Sequence, residues 1–546
     1  MMRSARCLRL SARCRLSVRL ASSSIAILPP AKAGSHRNGP RDPRLKPGAT
    51  DLIPALPAAF QMSRQRDLSQ MPQFTDNRQP TTRAKTRTPT LLVAIIAFAA
   101  TTFAQATPPP PAPPRPINWP AIIESKLGNG LTIVLVPLHN VPKITAELSL
   151  LAGRGTAYKT QPGVAQLAAR VMNEGTATRT SLQIKEELRS IGGALSIAVD
   201  HDATTMTASS LSEFAPKLLD LVSDVARHPA YPQSEVALAK TNFAQEIEEQ
   251  RSTPDFLAQE ELDKALFGAH PYGFTVPAPA AIKNVTRASL RTFAATWYVP
   301  NNATLVIVGD FDVPKMHAEV ERMFGSWKRV PLPPAPKVIL PTREKRQLYV
   351  IDRPGSVQST ILIGAPAPPR RSPDYIPLRT TNMIYGGAFY SRLTRNIRES
   401  KGYTYSPFSS ADLRRAAGAF TAGASVRNEV TGPTILEMLY ELDRMRVEPV
   451  TAEELASAKT YSIGGMELEL ESQASLATRI STIHIDELSR DFLQTFRDKV
   501  AALTPAEVQR SAATYFDTYR SAIVIVGDYK QIKDQIAPFG DVKMVK

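Results

Sequence analysis

Short runs of branched apolar residues alternate along this chain with longer amphipathic stretches. Gly130-Leu131-Thr132-Ile133-Val134-Leu135-Val136 is almost continuously apolar, and Thr145-Ala146-Glu147-Leu148-Ser149-Leu150-Leu151 alternates polar with apolar positions. Both patterns predict β-strands. Helical periodicity follows over Pro162–Asn173, where the proline fits a first turn, then over Ser181–Ile191, Phe214–Ala226 and the acidic stretch Ser234–Arg251. The order returns later: strands at Gln347–Asp352 and Ser359–Ala365, then helices at Tyr375–Tyr385, Gly432–Met445 and Ala452–Glu471.

The return is a duplication. Ala294-Ala295-Thr296-Trp297-Tyr298 with the following Ala303–Phe311 matches Ala512-Ala513-Thr514-Tyr515-Phe516 with Ser521–Tyr529 at one constant offset, without a gap. Each copy reads as a helix end, a short connection, a buried strand and a Gly-Asp turn. Strand pairs followed by consecutive helices, with no strict strand-helix alternation, predict an α+β fold. Its two homologous halves are each an antiparallel or mixed sheet with helices packed on one face. The expected boundaries are 120–329 and 341–546, joined by a Pro-rich linker over 330–340 (VPLPPAPK at its centre). That linker suits either halves that close over something or a plain connector.

Composition sharpens this outline. The chain has 546 residues and a net charge of +16. Residues 1–106 hold 17 Lys and Arg against 4 Asp and Glu, so the remainder is nearly neutral and a nucleic-acid-binding reading has no support. Arg83, Lys85 and Arg87, the apolar run Leu91–Ala104 and Ala104-Gln105-Ala106 have the three parts of a secretory signal. The run is too short for a stable membrane span. Residues 71–106 therefore read as a signal region, 107–119 as a Pro-rich linker, and 1–70 as an extension upstream of a true start at Met71 or Met62. Export to the periplasm follows from this reading; a mitochondrial transit peptide is the alternative. Cys7 and Cys14, both in the leader, are the only cysteines, which excludes thiol chemistry from the rest. No Gly-x-Ser-x-Gly turn supports a serine hydrolase. His201, between Asp200 and Asp202, reads as a surface residue and His270 as part of a structural turn. His139, His228, His317 and His484 are isolated in the sequence.

Leu127-Gly128-Asn129-Gly130-Leu131, Gly163-Val164-Ala165, Glu174-Gly175-Thr176, Ile191-Gly192-Gly193, His270-Pro271-Tyr272-Gly273 and Pro300-Asn301-Asn302-Ala303-Thr304 occur in that order. This succession resembles the pitrilysin/insulinase family of zinc metallopeptidases, which includes the mitochondrial processing peptidase, over essentially all of residues 120–546. The resemblance implies a His-x-x-Glu-His motif on the helix after Gly163, with two imidazoles binding Zn²⁺ and the Glu as general base, and a distal Glu completing the ligands. Here that helix reads Gln166-Leu167-Ala168-Ala169-Arg170. Gln166, Ala169 and Arg170 replace all three motif residues, and only Glu246, at the distal position, remains. The expectation is that this chain binds no metal itself, with Arg170 either pairing with Glu246 or standing apart from it.

Gly386-Gly387-Ala388-Phe389-Tyr390-Ser391-Arg392-Leu393 leads into Ile397-Arg398-Glu399-Ser400-Lys401-Gly402-Tyr403-Thr404-Tyr405. It resembles the family's C-terminal half, where an Arg and a Tyr seven positions apart hold the peptide and stabilise the oxyanion. Arg398 and Tyr405 have that spacing; the plainer alternative is a helix-surface arginine and a core tyrosine. The combination implies a non-catalytic subunit whose zinc-bearing homologous partner cleaves peptides. Two other readings stay open: a stand-alone peptide binder, and an assembly subunit of a membrane complex.

Overall fold

The computed structural model describes residues 117–334 and 339–545. The leader, the signal region, most of the first Pro-rich linker and the centre of the second lie outside these. Among the described residues, no helix is long and apolar enough to cross a membrane.

Two six-stranded sheets organise the chain. The first comprises β1 (Ile123–Lys126), β2 (Thr132–Pro137), β3 (Lys143–Leu150), β4 (Ala194–Val199), β5 (Thr204–Leu211) and β6 (Ala303–Gly309), in the order β1-β2-β6-β3-β5-β4. The second comprises β7 (Gln347–Asp352), β8 (Gln358–Ala367), β9 (Phe408–Leu413), β10 (Gly418–Arg427), β11 (Ala522–Gly527) and β12 (Asp541–Val545), in the order β12-β7-β11-β8-β10-β9. Five positions correspond one to one, including the parallel pairs β2–β6 and β7–β11. The duplicated segments become a helix and the central strand of each sheet: Arg287–Trp297 with β6, and Pro505–Tyr515 with β11. Both helices open on a threonine capping box, at Thr286 and Thr504. The sixth strand differs, because β1 enters antiparallel from the N-terminal side whereas β12 enters parallel from the C-terminal side.

Both sheets are mixed, and helices of their own half cover one face, the α+β arrangement expected. The opposite face of each is covered by a helix from the other half. One helix is α1 (Pro254–Phe267), which lies on β8 and β11. The other, α2 (Gln473–Ile485), lies on β3 and β6. This explains the apolar runs: Ile133 and Leu135 face the first half's core, while Val134 and Val136, with Val306 and Val308, join the core of the second. Beneath α1, Leu262 and Leu266 pack with Leu362, Val524 and Val526. The approach is close enough to require Gly364, where a Cβ would stand 2.7 Å from a Leu262 methyl.

The alternation in β3 predicts one apolar face, yet Thr145, Glu147 and Ser149 are as buried as their apolar neighbours. They lie under α2. Glu147 accepts from Thr478 Oγ1 at 2.7 Å and from Thr207 Oγ1 at 3.3 Å, and burial raises its pKa above the ordinary carboxyl value. Gln473 Nε2 donates to the Lys143 carbonyl at 3.3 Å, and Thr360 Oγ1 donates to Asp255 at 3.0 Å in the reciprocal contact. The halves are thus packed against each other directly.

Local boundaries differ from the periodicity in two places. Pro162 lies ahead of the helix, which runs Val164–Val171 after Gly163 in the left-handed region at φ 88°. The predicted helix over Tyr375–Tyr385 is α-helical only to Asn382 and then widens into a π-turn, Met383–Gly387. The exchanged helices and the β4–β5 and β9–β10 hairpins have no counterpart in the sequence prediction.

The exchange makes one cooperative unit. Of the three tryptophans, Trp297 and Trp327 pack with the first half's core and Trp119 against the second's, so their fluorescence weights the first half. Ile480, on α2 from the second half, is buried. Ile480→Ala should cost about 2–5 kcal/mol and shift the urea midpoint equally by tryptophan emission and by far-UV circular dichroism; separated midpoints would show the halves unfolding independently.

Candidate functional site

The helix Val164–Val171 packs on β4 and on the long helix Gln233–Arg251. One helical turn separates Gln166 from Arg170, so both side chains share a face. Gln166 is buried and its Oε1 has no hydrogen-bond partner; Ala169 is buried beside it. Arg170 Nη2 meets Glu246 Oε2 at 2.8 Å, and its guanidinium stacks over the Phe243 ring at 4.5 Å. The ion pair left open by the sequence is therefore formed. With side chains 37% and 41% exposed, it contributes about 1 kcal/mol or less, and its importance is chemical. A zinc ion needs neutral nitrogen or anionic ligands. This position offers an amide, a methyl group and a permanent cation already bound to the remaining carboxylate, and these residues do not fit the metal. Among the described residues, no three His, Cys, Asp or Glu side chains converge as a metal site elsewhere.

Arg398 and Tyr405 form a separate cluster. Arg398 lies on a second π-helical segment, Thr394–Ser400, a few residues after the π-turn that ends in Gly386-Gly387. A Cβ at Gly386 would stand 2.7 Å from Ser409 Oγ and 2.8 Å from a Leu393 methyl, so the backbone runs close against these side chains there. The Arg398 guanidinium lies 4.6 Å from the Tyr405 ring centroid and 4.9 Å from that of Phe389. Tyr405 is 79% exposed and is not a core tyrosine. It borders a cavity of about 680 Å³ lined by both halves: Asp255 and Gln259 of α1, with Thr360, Ser425 and Arg427 from the second sheet. No hydrogen bond or ion pair links this cluster to Arg170 and Glu246 among the described residues.

A third constellation, at the seam between the halves, escapes sequence reasoning. His201 does not sit free on the surface. It is half-buried, with Arg154 Nη2 3.0 Å from Nδ1 and Arg414 Nη1 3.1 Å from Nε2. Burial, reinforced by the two guanidinium charges, holds its pKa well below the ordinary value and keeps the ring neutral. The adjacent Asp202 accepts the Tyr272 hydroxyl at 2.8 Å on both oxygens, and the Ala416 N–H donates to that same hydroxyl at 3.0 Å. Burial and the neighbouring Asp200 charge push Asp202 up to about 6. His270 has the structural role expected, accepting the Tyr272 N–H at 3.1 Å. Three histidines isolated in sequence face carboxylates in space: His139 with Asp310, His228 with Asp224, and His484 with Glu124. The local signals are the Asp200-His201-Asp202 and Arg414-Arg415 hairpin turns, which nothing in the sequence connects.

The raised pKa of Asp202 has a definite sign. The folded state holds this proton more tightly than an unfolded carboxyl of pKa about 3.9. Its stabilising contribution is thus complete below that value and lost as pH rises through about 6. Asp202→Asn, neutral throughout, should gain on the parent protein by about 2 kcal/mol between about pH 4.5 and about pH 7.5. Melting temperatures across that range check this. Because His201 is present in both proteins, its opposite dependence cancels in the difference; parallel curves would contradict the assignment.

Residues 133–280 match the model of the insulinase peptidases, family M16, and residues 284–462 match the model described as the peptidase M16 inactive domain. A protein named an uncharacterized zinc protease from Rickettsia felis is 28% identical over 346 residues, covering 62% of this chain and 81% of that protein. One of the same description from Bacillus subtilis is 25% identical over 361 residues, 64% of this chain and 85% of the relative. Among solved structures, a peptidase M16 inactive domain from Pseudomonas fluorescens superposes with a TM-score of 0.69 at 24% identity, covering 74% of this chain and 98% of that one. A protease from Helicobacter pylori gives 0.70 at 19% identity, with 74% and 99% covered. The two matched domain models together span more than half of the chain, and it belongs to the insulinase-type M16 peptidase family, with an inactive-type domain as its second part.

Proposed function

We propose that this chain is the zinc-less, non-catalytic subunit of an exported two-subunit metallopeptidase. In this reading it supplies Arg398, Tyr405 and chamber surface to peptides cleaved at the zinc of a homologous partner. One contrast carries the proposal: at the family's zinc position an Arg170–Glu246 pair replaces the ligands, while Arg398 and the exposed Tyr405 lie side by side and face outward. A guanidinium and a phenol both donate hydrogen bonds, and held together beside a scissile carbonyl they stabilise the negative charge that develops on its oxygen. Stacking on Tyr405 and Phe389 restricts the guanidinium, so less ordering is required when substrate arrives. Zinc, in the partner, would supply the activated water.

Peptide recognition has a candidate surface. β4 pairs only with β5 and ends the first sheet, leaving its outer backbone groups available to an extended segment. That free edge also favours the second reading, a peptide binder without hydrolysis. Export rests on the signal-like sequence before residue 107.

Two measurements test the proposal. In a mixture with the zinc-bearing partner, Arg398→Ala and Tyr405→Phe should each lower kcat for peptide cleavage by about 10²–10³, the effect of losing one oxyanion donor; unchanged cleavage removes their role. The chain alone should contain no stoichiometric zinc by elemental analysis and show no peptidase activity, whereas the combined Q166H, A169E and R170H substitutions should bind about one zinc per chain with Glu246. Zinc with activity in the parent chain would overturn the proposal.

A further inference from the structure

A second cavity, of about 690 Å³, lies at the seam between the halves. Its size is that of a site for a small organic molecule. The apolar wall comes from the first half, with Tyr158 and Trp297, and from Leu332 and Pro333 of the connecting strap. The strap is fixed where it passes the cavity: Asn301 Nδ2 donates to the Val330 carbonyl at 2.9 Å, and the Val330 N–H returns a bond to Asn301 Oδ1 at 3.2 Å. The opposite wall comes from the second half and carries Arg371 and Arg415.

The charges of this lining do not cancel. Arg415 is paired with Glu487 at 2.6 Å. Asp202, the other lining carboxyl, is engaged by Tyr272 at 2.8 Å. His201 is held neutral between Arg154 and Arg414. Lys159 is exposed, 5.6 Å from the Tyr158 ring centroid. Arg371 is half-buried and makes no hydrogen bond or ion pair among the described residues. A guanidinium removed from part of its water without a partner is a cost to the folded chain unless something else meets it. Its planar fork matches a carboxylate, and the aromatic wall facing the second half matches an apolar body.

We propose that this seam cavity binds a small monocarboxylate with an aromatic or branched apolar body, its carboxylate on Arg371 and its body between Tyr158 and Trp297. The lining sets three cations, Lys159, Arg371 and Arg415, against two carboxyls, Asp202 and Glu487, and this small positive excess favours a monoanion over a phosphate dianion. Because both halves line the cavity, the ligand fastens the seam and stabilises the folded chain by mass action. This inference does not depend on the peptidase reading above.

The test uses the full chain, titrated with 3-phenylpropionate and 4-methylpentanoate while tryptophan emission is followed. 3-Phenylpropionamide and inorganic phosphate serve as comparison ligands. Both acids should change the emission, raise the melting temperature and bind at least about tenfold more tightly than the amide, as one charge-assisted contact implies. Trp297→Phe should remove most of the emission change. Arg371→Ala should weaken the acids to the level of the amide and leave amide binding unchanged. It should leave the ligand-free melting temperature unchanged or slightly higher, since Arg371 has no partner to lose and its partial desolvation is relieved. Equal binding of acid and amide, full acid affinity in Arg371→Ala, phosphate binding as tightly as the acids, or no binding of either acid at millimolar concentration would each overturn the proposal.

Discussion

Everything in this fold follows from central strands that are apolar on both faces. A sheet whose middle strands read Ile-Val-Leu-Val and Leu-Val-Ile-Val cannot leave either side in water. Each half supplies helices for one side only. The other side is closed by α1 on the second sheet and α2 on the first. At roughly 1.5–3 kcal/mol for each fully buried aliphatic side chain, this reciprocal cover outweighs any single ion pair at the seam. It also brings Asp255 of the first half to the cavity beside Tyr405, so that cavity depends on the same exchange that holds the molecule together.

On this scaffold the two halves have diverged in chemistry. The helix Val164–Val171 lies on β4 and packs against the long helix that carries Glu246, which brings Arg170 to that carboxylate. Arg170 is the economical replacement: one side chain neutralises Glu246 and covers Phe243. The second half has a π-turn crowded at Gly386 and a second π-helical segment that carries Arg398. π-Turns are energetically poor and persist mostly at functional sites, which sets this segment apart from the helices that only fill the core.

Much of this was legible in the sequence, for identifiable reasons. The duplication showed because its two copies lie in the central strands, where burial restricts substitution to similar residues. The substitutions Gln166, Ala169 and Arg170 stood out only because the family resemblance implies which positions of the helix after Gly163 to compare. The exchanged helices were not legible, since nothing local in Pro254–Phe267 or Gln473–Ile485 says whose sheet they cover. For the same reason Thr145, Glu147 and Ser149 looked like a solvent face. The seam cluster was hidden because Arg154, His201, Tyr272 and Arg414 come from four separate turns and loops, each unremarkable alone.

The exchange also bears on origin. Before duplication, a half with this sheet would have left one face of its central strands bare, and its own protruding helix would have had nothing of its own to cover. Two copies, each laying that helix across the other, solve both problems at once, which is a two-fold symmetric dimer with swapped elements. The linker between the present halves is then the record of a gene fusion. It converted an association that depended on concentration into one that does not, and it freed the two copies to become different, as the Arg170–Glu246 pair of one and the Arg398–Tyr405 cluster of the other now are.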